Sequence, residues 1–133
     1  MAEQTATAGV ADYLTGEAFE ETLDKVVALI EGAGMTLFAR IDHMAGARAV
    51  GLDMPPTVLL LYGHPRGGTP IMLATPLAGL ELPLRVLVRQ DAEGRTRMSF
   101  HPIVPWLEAV GVPAGSASRL EPAQQILLRA IRQ

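Results

Sequence analysis

The apolar positions of this chain switch repeatedly between helical spacing and alternation with polar positions, which predicts helices and strands in turn. A first strand is expected over residues 9–14. From Glu17 onward the apolar residues share one side of a helix, with Thr15 as its N-cap and Gly32 at its end.

The middle of the chain also switches between strand and helix patterns. Alternation predicts a strand over residues 35–42, and an alanine-rich helix over residues 43–50 follows, for which Asp42 supplies the cap. The continuous apolar run over residues 57–62 is typical of a central strand buried on both faces.

The next two strands predict their own register. A three-residue turn over residues 92–94 would place Val88 opposite Met98 and Arg89 opposite Arg97. A turn one residue longer or shorter would mix apolar and charged side chains on one face, because a one-residue slip inverts every side chain. We therefore expect the three-residue turn, with its glycine in the left-handed conformation.

Two helices are expected after this hairpin, over residues 102–110 and from about residue 118 to residue 132. The element order is then β-α-β-α-β-α-β-β-α-α. This order predicts an α+β fold in which a mixed, mainly antiparallel sheet has helices packed on it. We expect one compact domain over residues 9–133, preceded by a flexible segment over residues 1–8.

Composition limits the function classes. The chain has 133 residues, a net charge of −3, 49% hydrophobic residues and no cysteine. The acidic balance argues against nucleic-acid binding, and the longest apolar run is too short to span a membrane. Disulfides and cysteine-based metal sites are excluded. We expect a cytoplasmic protein with no cofactor.

Four segments of the chain resemble, in their order and spacing, the bacterial domain of unknown function 302 family. They are Phe38-Ala39-Arg40-Ile41-Asp42-His43, Leu61-Tyr62-Gly63-His64-Pro65, Gly68-Thr69-Pro70-Ile71-Met72 and Leu82-Pro83-Leu84-Arg85-Val86-Leu87-Val88. The resemblance covers residues 18–107. It implies a compact domain, often a homodimer, and supplies no catalytic residues.

This chain departs from the family pattern at two positions. His64 stands where the family usually has Asn, and Arg85 stands where it usually has Lys. The first departure weakens any mechanism that requires the His64 imidazole.

Glycines at positions 63 and 68 have the spacing of a phosphate-binding loop, followed by a helix that Thr69 would cap. The lysine that such a loop needs is missing. A simple turn before a capped helix is therefore the favoured interpretation. The alternative is a pocket of backbone amides around Gly68 and Thr69 for a carboxylate or phosphate, assisted by Arg66.

Asp42 and His43 form a second candidate site. The favoured interpretation is a cap and its neighbour, but His43 could serve as a general base that Asp42 orients. His64 would join them if the two strand ends were neighbours, and two histidines with a carboxylate would suit a metal ion. Because the spacing matches no known metal motif, we expect no metal site.

The arginines of the predicted hairpin form a third feature. Arg89 and Arg97 directly opposite each other require a neutralising partner, which Asp91 and Glu93 can supply as a surface network. An acidic ligand or an acidic patch on a partner is the alternative.

These observations favour a homodimeric binding or interaction module for an anionic small molecule. The expected site comprises Asp42, His43, His64, Arg66, Gly68 and Thr69. Two alternatives stay open: an enzyme that uses Asp42 and His43 in proton transfer, and a metal- or haem-binding protein that uses His43 and His64. Catalytic residues cannot be assigned from the sequence.

Overall fold

The structure, a computed structural model, describes residues 9–132. The flexible segment expected over residues 1–8 lies outside the described residues. The strands are β1 (Ala11–Leu14), β2 (Thr36–Asp42), β3 (Thr57–Gly63), β4 (Leu84–Gln90) and β5 (Thr96–Phe100). The helices are α1 (Phe19–Gly32), α2 (His43–Ala49), α3 (Pro65–Ala74), α4 (Ile103–Ala109), α5 (Ala114–Ala117) and α6 (Glu121–Gln125).

The five strands form one sheet in the order β1-β5-β4-β3-β2, and each described pairing is antiparallel. The α+β fold is confirmed, and the predicted element order holds as far as α4, after which α5 and α6 stand where one helix was expected. Within residues 9–132, no helix has both the length and the apolar character needed to cross a membrane.

One face of the sheet carries the core. Alternate residues of β3, β4 and β5 are fully buried there, and α1 packs against them together with the last turns of the chain. These core residues include Leu60, Tyr62, Val86, Val88 and Met98.

The opposite face is less well covered. Leu59, Leu61 and Leu87 are half-buried there, and Ile41 is exposed. The expectation that β3 is buried on both faces therefore holds fully for its core face alone.

The β4–β5 hairpin has the predicted register. Val88 pairs with Met98 and Arg89 pairs with Arg97. Asp91 and Arg95 close the turn, with the Asp91 N–H donating to the Arg95 carbonyl at 2.7 Å. Gly94 has a φ of 79°, a conformation that side chains with a Cβ rarely adopt.

Asp91 holds this hairpin together through its carboxylate. It accepts hydrogen bonds from the Arg95 N–H at 2.9 Å and from Arg97 Nε at 3.0 Å. Burial of Asp91 raises its pKa, but these bonds and one from the Glu93 N–H outweigh that effect and lower the pKa to about 2. The stability that Asp91 contributes is therefore present above its ordinary value of 3.8 and is lost as pH falls toward 2.

Two details of the helices differ from expectation. Thr15 does not cap α1: its hydroxyl is buried 2.9 Å from the hydroxyl of Thr22, and Ala18 occupies the N-cap position. The helix expected from about residue 118 to residue 132 is broken into α6 and flanking 3₁₀ turns. Pro122 explains why a new helix begins at Glu121, because proline lacks an N–H and fits only the first turn of a helix.

Candidate functional site

The helix α3 begins earlier than the sequence predicts. His64 is its N-cap and Pro65 its first residue, so residues 63–68 include the first turn of a helix and are not a loop. Proline suits this position because its missing N–H would have no partner there and its φ is already helical. The prediction that Thr69 caps the helix is wrong, since Thr69 lies inside it.

The amide groups at the start of α3 are already satisfied. The Nδ1 atom of His64 accepts the Arg66 N–H at 3.2 Å. The His64 carbonyl accepts the N–H groups of Gly67 and Gly68 at 2.8 and 3.0 Å. An anion at this helix end would find these three donors engaged, which disfavours the amide pocket considered from the sequence.

A cavity of about 430 Å³ lies beside α3, at the end of β3. This volume falls within the range typical of small-molecule sites. Its lining combines four stretches of chain that are distant in sequence, and His64 is its only ionisable residue. The lining residues are Phe38, Leu61, Gly63, His64, Pro65, Gly68, Met72, Leu82, Pro83, Leu84, Leu120 and Ala123.

Only two of the six expected site residues line this cavity, His64 and Gly68. They stand one turn apart on the side of α3 that also carries Met72. Arg66 falls two residues from both, which places it on the opposite side of the helix, because residues two apart do not face each other. Thr69 is exposed and outside the lining.

Asp42 and His43 lie at the other end of the sheet. Because β2 and β3 are antiparallel, Asp42 pairs with Val58 near the start of β3, whereas His64 follows its end. Six residues of strand separate the two places, about 20 Å at the usual rise. The hypothesis that His43 and His64 share one opening is therefore corrected: the antiparallel pairing keeps them apart.

Asp42 has the capping role that the sequence predicts. Its Oδ1 accepts the Ala45 N–H at 2.9 Å, at the start of α2. Neither Asp42 nor His43 lines the two cavities described here. Among residues 9–132, no group of three or more histidine, aspartate or glutamate side chains could hold a metal ion.

The predicted arginine network is confirmed for Arg97 but not for Arg89, and Glu93 pairs with Arg95 instead. Arg97 pairs with Asp91 at 3.0 Å and with Asp12 of β1 at 3.2 Å. Within the described part of the chain, neither Arg85 nor Arg89 takes part in an ion pair. Arg85 pairs across the sheet with Leu61, which lines the cavity. Arg85 is thus the cross-strand neighbour of a wall residue, although it is not part of the cavity lining itself.

A second, much smaller cavity of about 20 Å³ adjoins the same arginine. Arg85, His101 and Trp106 are among its lining residues. The centroids of the His101 and Trp106 rings are 4.7 Å apart, and the rings meet edge to face. The buried His101 Nδ1 has no hydrogen-bond partner among the described residues.

Sequence reasoning missed most of the cavity. Phe38, Leu82 and Leu120 contribute to its walls, and an apolar residue carries no sign that it lines a hollow rather than the core. The family segments contain several of these residues without marking them as a site.

The chain is similar to several known proteins. Residues 13–133 match the family described as Domain of unknown function DUF302. The crystal structure of an uncharacterized conserved DUF302 protein from Bacillus stearothermophilus covers 95% of this chain and all of its own, with a TM-score of 0.83 at 19% identity. This likeness concerns the fold.

Two curated relatives are proteins of Brucella. The Fluoride-specific ion channel FluC 1 of Brucella suis biovar 1 (strain 1330) is 40% identical over 81 residues, which are 61% of this chain and 32% of that protein. Its namesake in Brucella abortus biovar 1 (strain 9-941) shows the same identity over 30% of its length. The chain thus spans about a third of these relatives. Because the family match extends over almost the whole sequence, this chain belongs to the DUF302 family.

Proposed function

We propose that this domain is a binding module for a small molecule that has an apolar body and one anionic group. The observation that carries the proposal is the cavity of about 430 Å³, whose walls are apolar except at His64. Burying apolar surface in such a hollow supplies the affinity, and a single polar group at its edge supplies the orientation.

Two groups favour a negative charge on the ligand, His64 in the cavity lining and Arg85 just outside it. The Nδ1 atom of His64 accepts a hydrogen bond, so the ring proton belongs on Nε2, which is left as a donor. Arg85 stands across the strand pair from Leu61 of the cavity wall and has no ion pair among the described residues. A planar guanidinium matches the two oxygens of an anionic group.

We propose binding without catalysis. General acid–base chemistry requires positioned proton donors and acceptors at the reacting atoms. The cavity lining contains one such side chain, His64, while Asp42 and His43 stand about 20 Å away along the strand.

The experiment uses two fluorescent probes that differ in charge. 1-Anilinonaphthalene-8-sulfonate carries an anionic group, and N-phenyl-1-naphthylamine is its neutral counterpart. We expect the intact protein to bind the sulfonate at one site per chain. Arg85→Gln should weaken the sulfonate by about three- to ten-fold, since it removes one charge-assisted hydrogen bond, and leave the neutral probe within two-fold.

Arg89→Gln is the matched control. Arg89 is on the same strand and face as Arg85, is also without an ion pair among residues 9–132, and pairs with Thr57 and Arg97 away from the cavity. Equal losses in the two variants would overturn the anionic part of the proposal. An absence of binding to either probe would overturn the proposal as a whole.

We propose further that the protein works as a homodimer in the cytoplasm. The half-buried Leu59 and Leu87 and the exposed Ile41 offer a sheet face for a second copy. The lack of cysteine fits a reducing compartment. Light scattering at low micromolar concentration should give twice the chain mass, and Leu87→Glu should reduce it to one. One chain mass for the wild type would contradict the dimer.

A second candidate ligand is fluoride, because the chain is 40% identical to part of proteins named fluoride-specific ion channels. The cavity of about 20 Å³ beside Arg85 and His101 has room for a single small ion or water. Fluoride, with chloride as control, should raise the melting temperature of the wild type and not of His101→Phe. Equal effects of the two salts would refute this candidate.

A further inference from the structure

We propose that the natural ligand is the anion of an unbranched aliphatic carboxylic acid, and that Gly63 and Gly68 provide the room for its chain. This inference rests on the proposed function and names the chemical class of the ligand. Three observations support it: the apolar lining of the cavity, the two glycines in that lining, and the single cationic side chain nearby, Arg85.

The walls exclude a polar body. Eleven of the twelve lining residues are apolar or glycine, and His64 is the exception. A sugar, nucleotide or amino acid would bury hydroxyl or amide groups without partners. Each such group costs on the order of 1–3 kcal/mol, which is enough to cancel the gain from burial. A hydrocarbon body has no such groups to satisfy.

The walls also favour a flexible chain over a flat ring. Phe38 is the only phenylalanine, tyrosine or tryptophan of the lining, and it is 52% exposed. A flat ring, such as that of the two naphthalene probes, can enter the cavity but finds no pair of aromatic faces to stack between. Met72, Leu82 and Leu120 are instead aliphatic, and methionine in particular adapts its shape to irregular contents.

The two glycines mark where the cavity depends on a missing side chain. A Cβ at Gly68 would lie 3.6 Å from Leu82 Cδ1 and 3.8 Å from the terminal carbon of Met72. A Cβ at Gly63 would lie 3.6 Å from the Phe38 ring. All three neighbours are themselves cavity walls. A methyl group is therefore tolerated at both positions, and a larger side chain must occupy space that the ligand needs.

The head group carries one negative charge. Arg85 supplies one cation beside the wall, and His64 supplies one neutral donor. A carboxylate uses both oxygens on a single guanidinium, whereas a doubly charged phosphate would be left partly uncompensated. A straight-chain carboxylate matches both the apolar lining of the cavity and the single positive charge of Arg85.

The first experiment is a calorimetric series with butanoate, hexanoate, octanoate, decanoate and dodecanoate, each below its micelle-forming concentration. We expect the affinity to rise about four-fold with each methylene group until the cavity is full, and then to level off. Octanoate should bind more tightly than its branched isomer 2-propylpentanoate, because the branch cannot follow the same walls.

The second experiment uses a pair of glycine substitutions. Gly68→Val should weaken octanoate by about ten-fold, the equivalent of roughly two methylene groups that lose their place, and leave butanoate unchanged. Gly46→Val in α2 is the matched control, since a Cβ there meets nothing within 4 Å. Circular dichroism checks the folding of both variants, and Gly68→Ala provides a milder change if the valine variant does not fold.

The outcomes separate this inference from the function beneath it. An affinity that does not depend on chain length, or equal binding of octanoate and its branched isomer, would overturn the aliphatic class. If the anilinonaphthalene sulfonate still bound and responded to Arg85→Gln, the proposed function would remain. If neither the carboxylates nor the fluorescent probes bound, both proposals would fall together.

Discussion

A short helix lies near each end of β3, and a side chain caps the start of each helix. One cap is Asp42, which precedes His43, and the other is His64 itself. At the start of β3, Asp42 caps α2, which buries none of its residues. At the end of β3, His64 caps α3, which buries Ile71 and lines a cavity with Gly68 and Met72.

The two ends differ in what the rest of the chain brings to them. The main packing partner of α2 is β3, whereas Leu120 and Ala123 from the C-terminal third close the cavity beside α3. Tyr62 ties these parts together, because its hydroxyl donates to the Ala123 carbonyl at 3.1 Å. A capped helix is a local property of sequence, but a hollow is produced by segments that meet only in the folded chain.

The substitution with the largest expected effect tests whether the end of β3 beside the cavity is part of the core. Tyr62 is fully buried, so Tyr62→Ala should lower the free energy of unfolding by about 3–5 kcal/mol. Ile41→Ala, near the opposite end, should cost less than about 1 kcal/mol, because its side chain is already exposed. Urea denaturation measures both. Similar losses would mean that the two ends are equally embedded.

A pH experiment sharpens the same contrast. Burial raises the pKa of Tyr62 above its ordinary value of 10.0, so the folded state favours the protonated hydroxyl. The corresponding stability is present below that pH and is lost as pH rises above it. Tyr62→Phe should cost about 1 kcal/mol at neutral pH and flatten the alkaline loss. If the loss of stability at alkaline pH were the same in Tyr62→Phe as in the wild type, another group would control that loss.

Substitutions of the two capping residues should have similar effects on stability and different effects on ligand binding. Asp42→Ala and His64→Ala should each cost about 1 kcal/mol, since each removes the acceptor for one helix N–H. Only His64→Ala should also weaken the anilinonaphthalene sulfonate, because His64 alone lines the cavity. Thermal melts and fluorescence titrations provide the two measurements, and an equal effect of both variants on binding would break the contrast.

The smallest expected effect is a gain. Gly46→Ala should stabilise the protein by about 0.5–1 kcal/mol, because alanine restricts the unfolded chain and the new methyl group points into open space. Gly68→Ala should stabilise by a similar amount and weaken octanoate. If Gly46→Ala also weakened octanoate, the glycine effect would not be specific to the cavity.

Several features of the fold could be predicted because their causes are local or periodic. The register of Val88 and Met98 follows from alternation, and the Asp42 cap follows from one residue type before a helix. The start of α3 was missed because a histidine capped it, a role that usually belongs to serine, threonine, asparagine or aspartate.

The candidate site was harder to predict for a different reason. Sequence reasoning favours residues with chemically active side chains, such as Asp42, His43, Arg66 and Thr69, and gives no signal for the apolar walls. Whether His43 and His64 meet depends on the direction of β2 relative to β3, which neither segment specifies by itself. Arg85 stood out in the hairpin, but its neighbour Leu61 became visible only through the sheet order.

The pairing of β1 with β5 also bears on how the protein is made. Ala11 lies beside Phe100, so the first strand to leave the ribosome has to wait until most of the chain has been synthesised before its partner exists. Contacts between residues so distant in sequence slow folding, since a long loop must close first. Before β5 is synthesised, β1 has no partner strand, and the Asp12 carboxylate has no Arg97 to pair with.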